Sequence, residues 1–321
     1  MFHIVVSDPL AEVGLAVLRA DDVRLTAPGK MDRGSLLETI GDADALIVRS
    51  GTQVDREVIE CGDALKIIGR AGVGVDNIDL AAATERGIIV MNAPSANTNA
   101  TTEHALALML ALARHVPQGH ASLAAGEWAR KRYKGFELRG KTLGLVGAGR
   151  IGREVGVRAL AFGMRVVSYD PYVPAETVRE LGFEPVEELD DLLAVADIVT
   201  LHALVTPETT GMINGAAIAK MKDGARLVNV ARGALVDEAA LVAALDEGKL
   251  AGAALDVYAQ EPPEGSPLIG HPNVVHTPHL AASTAEAQSL VSTLIAEQVL
   301  NALRGDQPRD VVNPEVLDRL T

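Results

Sequence analysis

Short apolar runs recur along almost the whole chain, and segments of helical character separate most of them. The runs are "HIVV" (3–6), "ALIV" (45–48), "KIIG" (66–69), "IIV" (88–90), "TLGLV" (142–146), "RVVSY" (165–169), "DIVTL" (197–201), "RLVNV" (226–230), "AGAAL" (251–255) and "NVVHT" (273–277). A strand with one wet face alternates apolar and polar residues, whereas these runs are nearly continuous. Strands buried on both faces read this way, and they belong to parallel sheets covered by crossover helices. Asp32 stands as an N-cap before 33–41, and Asp237 opens 237–247. The pattern predicts an α/β fold built on doubly wound parallel sheets.

The alternation breaks once. Residues 101–124 are apolar nearly all round through "ALALMLALA", which is the pattern of a buried helix. A basic stretch follows, "GEWARKRYKGFELRGK" (126–141), holding the only Trp, Trp128. A second long helix is expected at about 284–304, after the last strand, and Ser283 reads as its N-cap. Two long helices flanking one block predict a central domain, 98–285, inserted into a discontinuous outer domain, 1–97 and 286–321. The tail reads as an added edge strand or a loose end.

At 321 residues two domains are expected, and 48% apolar content suits a soluble chain with an aliphatic core. The formal net charge of -14 argues against nucleic acid or a membrane surface as partner. The lone Cys61 excludes an intramolecular disulfide and fits a reducing compartment. The start, "MFHIVVSDPL", has no basic leader, and no run nears the roughly 18 apolar residues of a membrane span. A cytoplasmic protein is expected. In so acidic a chain the basic stretch is either a solvated connector or a place that meets an anion.

Gly147-Ala-Gly149-Arg-Ile-Gly152 follows one strand and opens a helix, the context in which GxGxxG binds a dinucleotide. Gly147 would permit the tight turn, Gly149 the approach of a pyrophosphate, and Gly152 close packing of helix on strand. Asp170, after the next strand, stands where a carboxylate meets the ribose 2'-hydroxyl, so NAD is expected over NADP. "GRAGVGVDN" (69–77) also follows a strand but fails as a fingerprint, since Asp76 and Asn77 fall where the third Gly belongs. It reads equally as a tight turn or, with Arg70, as a nest for a smaller anion.

Chemistry at a nicotinamide needs a proton carrier and a cation for the substrate. His104, His115 and His120 lie in the long helical segment and read as structural; His3, His271 and His276 show no legible partner. His202 ends a strand at the cofactor edge. His279, Glu261 and Arg232 each follow a strand end, where such sheets bind ligands. Glu beside His would fix its tautomer and favour its protonated form, and Arg would grip a carboxylate bidentately. Surface charge also collects at strand ends, so the residues alone leave both readings open. No HExxH, CxxC or carboxylate cluster suggests a metal.

"LVGAGRIG", "YDPY", "NVARGALVDEAAL", "AGAALDVYAQEPP" and "TPHLAAST" together resemble the D-isomer-specific 2-hydroxyacid dehydrogenase family nearly end to end. The resemblance implies two Rossmann-like domains, an active site in the cleft between them, NAD as cofactor, and a homodimer formed through about 101–141. It implies Arg232 as substrate anchor, His279 as general acid/base and Glu261 as its orienting partner. Asp256 matches a residue near the nicotinamide amide. Arg150, Ile151, His202, Ala203, Val230, Ala231 and Ala282 adjoin these positions and are assigned to the cofactor. Val73 and Gly74 match a backbone loop for the substrate carboxylate, with Ser50 and Asn97 nearby on the substrate side.

Within the family, "VRSGTQVD", "IIGRAGVGVDNIDL" and Trp128-x-Arg130-x-x-Tyr133 most resemble the branch that oxidises D-3-phosphoglycerate to 3-phosphohydroxypyruvate, leading into serine synthesis. Arg49, Arg70 and Arg130 are then candidates for the phosphate, Arg130 from the partner subunit, and Trp128 is expected in the dimer contact. The alternatives are reduction of hydroxypyruvate or glyoxylate, and a non-enzymatic NAD-dependent sensor or corepressor. Ala281 and Ala96 stand where the family usually has Gly, and Leu204 where Pro is common; an added methyl is costly if the backbone there needs positive φ. With the sequence ending at 321, feedback by serine through a C-terminal regulatory domain is not expected.

Overall fold

The computed structural model describes residues 1–320. The chain divides into two compact units, Met1–Asn97 with Ser283–Thr321, and Thr98–Ala282. The second crossing thus falls after Ala282 rather than after 285. Thr284, not Ser283, caps the helix that follows, its side chain accepting from Ala287 N.

The first unit holds strands β1 (Phe2–Val6), β2 (Val23–Thr26), β3 (Ala45–Val48), β4 (Ile67–Arg70) and β5 (Ile89–Asn92). They form one sheet in the order β2-β1-β3-β4-β5, every neighbouring pair parallel. Asp32, Asp55 and Asp79 cap three of its short helices by accepting backbone N–H bonds, as short polar side chains at this position do. The helix Ala285–Leu303 lies on this sheet, and Gly69 lets it come close: a Cβ there would sit 2.6 Å from Val299. The tail is tied down. Val311 bridges Met91, and Asn313 accepts from Val90 N while donating to Thr84 Oγ1 and Ile88 O.

The second unit holds β6 (Thr142–Val146), β7 (Arg165–Tyr169), β8 (Glu184–Val186), β9 (Ile198–Leu201), β10 (Ala225–Asn229), β11 (Leu250–Leu255) and β12 (Val274–His276). Its parallel sheet runs β12-β11-β10-β9-β6-β7-β8. Apolar side chains cover both faces. The chain leaves β6 toward β7 and returns on the other side at β9. That reversal opens a crevice at the carboxyl ends of β6 and β9, where doubly wound sheets bind ligands. β1 and β3 make the same reversal in the first unit.

The expected single helix over 101–124 is two, Thr98–Arg114 and Val116–Ala124. His115 breaks it with φ 52, in the left-handed region, and Pro117 sits in the first turn of the second helix. Proline is tolerated in a first turn, where its missing N–H costs nothing, but not inside a continuous helix. β2 and β8 escaped the apolar pattern because each lies at a sheet edge and reads "VRLT" or "EPV", without a fully buried residue. No described helix is long and apolar enough to cross a membrane.

Gly14 faces the helix Ala285–Leu303 so closely that a Cβ would lie 2.5 Å from Ser292 O. At an open helical site Gly→Ala gains about 1 kcal/mol. Here the obstacle is backbone, so Gly14→Ala is expected to lower stability by about 1–3 kcal/mol. Urea unfolding of the variant measures this, and a gain in stability would contradict the packing described.

Candidate active site

The turn after β6 shows what each glycine does. Gly147 has φ 95, and a Cβ on it would lie 2.8 Å from His202 C and O. A Cβ on Gly152 would lie 2.0 Å from Gly147 O, so only glycine lets the helix Arg150–Ala161 start this close to the strand. Gly149 differs: no atom lies within 4 Å of its missing Cβ, and as N-cap it offers no side-chain bond to the helix's first N–H groups. Close packing explains two of the glycines. The third leaves open space in front of a helix N-terminus, the arrangement that receives a pyrophosphate. Arg150 is exposed and Ile151 half-buried on the first turn.

Asp170 follows β7, and its two carboxylate oxygens accept from Ala148 N at 2.7 Å and Tyr172 N at 2.9 Å. The carboxylate is thereby fixed beside the glycine turn, where it fits a ribose diol and repels a 2'-phosphate. His202 and Ala203 follow β9. The His202 ring lies 3.0 Å from Thr200 Oγ1, and burial pushes its pKa down from 6.5 to about 4, although its edge is partly accessible.

Val230, Ala231 and Arg232 follow β10. Asn229, which closes that strand, accepts from Ala231 N and donates to Arg232 O, folding the loop on itself. Arg232 Nη1 donates to Ala231 O at 2.7 Å. Gly233, absent from the expected site, matters here: a Cβ would fall 1.9 Å from the Tyr258 carbonyl carbon. The loop after β10 therefore touches the loop after β11 backbone to backbone. Glu261 lies in that second loop, with one carboxylate oxygen accepting from Tyr258 N at 3.2 Å and the other 2.6 Å from His279 Nδ1. Burial, the largest influence, pushes the Glu261 pKa up. The bond and charge of His279, the Tyr258 N–H and the nearby charge of Arg232 outweigh it and leave the value below normal. An ionised Glu261 holds the proton on Nδ1 and turns Nε2 outward. A cavity of about 440 Å³ opens beside the pair, walled by Tyr258, Pro262, Pro263, Ile269 and Pro278.

His279 has φ 53, a conformation that non-glycine residues seldom adopt. Asp256 holds it there. Its carbonyl accepts from His279 N at 2.9 Å, and its carboxylate accepts from Leu280 N at 2.7 Å and Ala281 N at 2.9 Å. Three successive N–H groups thus rest on one residue with no solvent exposure. Burial pushes the Asp256 pKa up most strongly, yet His104, Thr277 and these amides together bring it below normal. Ala281 and Ala96 are buried and Leu204 is exposed, and all three have φ outside the left-handed region, so the expected strain at those departures is absent. Ala282 closes the unit.

In the first unit the candidates also lie at the carboxyl edge of the sheet. Arg49 and Ser50 follow β3, Arg70 ends β4, Val73 and Gly74 lie in the next loop, and Asn97 ends the unit's first segment. The supports of these loops are residues without an expected role in the site. Asp8, buried after β1, accepts from Arg49 N at 2.6 Å and Thr52 N at 3.2 Å. Asn77 donates to Arg49 O and Thr52 O, and Asn92 to Val73 O. Arg130 is exposed in the basic stretch, next to Trp128, which is 81% exposed.

The glycine turn, Asp170 and a His–Glu pair at neighbouring strand ends define an NAD-binding unit of the kind found in dehydrogenases. The chain belongs to the D-isomer specific 2-hydroxyacid dehydrogenase family, and residues 106–281 match that family's NAD binding domain. It is 52% identical over 313 residues to D-3-phosphoglycerate dehydrogenase of Methanocaldococcus jannaschii, covering 98% of this chain and 60% of that protein. It spans about three-fifths of the length of several such curated relatives. Among solved structures it is similar to the TT0316 protein from Thermus thermophilus, with 40% identity, a TM-score of 0.89, and coverage of 97% of this chain and 100% of that one. A glyoxylate reductase from Paecilomyes thermophila matches with 35% identity and a TM-score of 0.88 over 97% of this chain and 98% of that one.

Gly149→Ala is expected to fold normally but bind NADH about tenfold more weakly, since only the ligand fills that space. Wild-type affinity by fluorescence titration would contradict this. For His202, the folded pKa of about 4 lies below the free value of 6.5. Between those limits the unfolded chain takes up a proton that the folded chain refuses. Its stability is therefore complete above the free value and falls as pH drops toward the folded one, by at most about 3 kcal/mol. Urea midpoints across that window should fall less steeply in His202→Gln; an unchanged slope would remove the assignment.

Proposed function

We propose that the protein oxidises D-3-phosphoglycerate to 3-phosphohydroxypyruvate with NAD, the step that leads into serine synthesis. The observation that carries this is the His279–Glu261 pair, 2.6 Å apart and set by a left-handed turn, with Arg232 close enough for its charge to act on Glu261. NAD, when bound, supplies the hydride acceptor. The chain's own residues do the rest. Arg232, with the Val73–Gly74 backbone, binds the carboxylate of the 2-hydroxy acid, and His279 Nε2 takes the hydroxyl proton. Glu261 keeps the other ring nitrogen protonated and stabilises the charge that His279 acquires. In the reverse direction His279 returns the proton to the carbonyl oxygen.

The phosphate calls for further cations, and we assign Arg49, Arg70 and Arg130 to it. Arg130 would come from the partner of a homodimer built on residues 101–141. Support for that dimer is the exposed apolar strip there, with Val116 56%, Leu123 59% and Trp128 81% exposed. The single cysteine, Cys61, is free, which suits the cytoplasm, where we place the protein. A second reading, reduction of glyoxylate or hydroxypyruvate, is favoured by the likeness to the glyoxylate reductase.

Initial rates with D-3-phosphoglycerate and NAD, beside NADH oxidation with a panel of 2-keto acids, test the reading; no turnover of either phosphorylated acid sinks it. His279→Ala should lower kcat by about 10²–10⁴-fold with NADH affinity kept. Full turnover in that variant rules out His279 as the proton carrier. Arg130→Ala should raise KM for the phosphorylated substrate by about tenfold and leave that for glyoxylate unchanged. Equal effects on both would favour the second reading.

A further inference from the structure

The helix Thr98–Arg114 has no part in the proposed chemistry, yet it sets a histidine against the carboxylate beneath the site. His104 Nε2 lies 3.1 Å from Asp256 Oδ1 and 3.0 Å from Thr277 Oγ1. The Thr277 hydroxyl itself donates to Asp256 Oδ1 at 2.5 Å. A carboxylate only accepts, and the threonine proton is already committed to it. The nitrogen facing both oxygens must therefore carry a proton, so His104 is the Nε2–H form or the cation. Among the described residues it is the one ion-pairing partner of a carboxylate with 0% exposure.

We propose that His104 is a positioning residue for His279. Its Nε2–H, with the Thr277 hydroxyl, fixes the Asp256 carboxylate so that both oxygens face the Leu280 and Ala281 N–H groups. Those two bonds, with His279 N on Asp256 O, hold the turn that keeps φ of His279 at 53. A left-handed non-glycine residue costs free energy and persists only where its surroundings over-determine it. Removing one fixed donor from a buried carboxylate frees it to rotate toward whatever donors remain. The turn then relaxes, and the imidazole leaves the line set by Glu261. His104 touches neither reacting atom in this account. It acts through Asp256.

The kinetic part of the test rests on His279 being the proton carrier; the structural part does not. His104→Leu and His104→Gln are compared by amide hydrogen exchange over 279–282, by NADH affinity, and by kcat with D-3-phosphoglycerate. In His104→Leu exchange at Leu280 and Ala281 should rise about tenfold or more while β6 and β9 stay protected. Its kcat should fall by up to about 10²-fold with NADH affinity kept, the cost of a misplaced catalytic group. His104→Gln restores an N–H donor and should recover most of both. Unchanged exchange in His104→Leu overturns the proposal, and so does a glutamine variant as impaired as the leucine one. If His104→Leu does not fold, Thr277→Val removes the other fixed donor and should raise the same exchange; no rise overturns the proposal. If the wild type turns over no 2-hydroxy acid, the proposed function fails, and the exchange data still decide the role of His104.

Discussion

Within the second unit, one carboxylate with no exposure to solvent accepts from a threonine hydroxyl, a histidine and two consecutive backbone amides. A lone buried anion would cost many kcal/mol, and only such a full set of donors makes it tolerable. Asp256 is held below its usual pKa in spite of its burial, so the anion persists and its acceptors stay available. The consequence reaches His279 in one step. Its donors include the amides that follow His279, and its carbonyl takes the amide of His279 itself. The direction of the imidazole is set by how this carboxylate is satisfied.

The surrounding loops close on one another by the absence of side chains. Gly147 and Gly152 bring the first turn of a helix against β6 and the end of β9, and Gly233 brings the loop of Arg232 against the backbone at Tyr258. These contacts are backbone on backbone, so they cannot yield as a flexible side chain would. Of the glycines in these loops, Gly149 differs in facing open space, so no packed neighbour accounts for it.

Much of this was legible in the sequence, for physical reasons that also mark the limit. Strands buried on both faces announce themselves as continuous apolar runs, so the central strands of both sheets could be read; the half-exposed edge strands β2 and β8 could not. The dinucleotide fingerprint could be read because three glycines at fixed spacing do three jobs within six residues. Arg232, Glu261 and His279 stood out as chemically suitable residues at strand ends, but only their family motifs gave them roles. The break at His115 was hidden, because Pro117 is as acceptable in a new helix's first turn as it is foreign to an old one's interior. His104 and Asp256 were hidden as a pair by the 152 positions that separate them. Gly233 left no sign beyond its place beside Arg232, since a packing glycine has no spacing rule.

In the proposed function the fold, the cofactor turn and the His279–Glu261 pair serve hydride transfer, with Asp256 as the fixed point. Replacing it by asparagine keeps the shape but turns one accepting oxygen into a donor, which cannot receive both amides. The most direct measurement is the single-turnover rate of NADH formation in Asp256→Asn, with NAD affinity measured alongside. The expected rate is lower by about tenfold or more, with the turn at 279–281 loosened in amide exchange. A wild-type rate with that turn unchanged would contradict it.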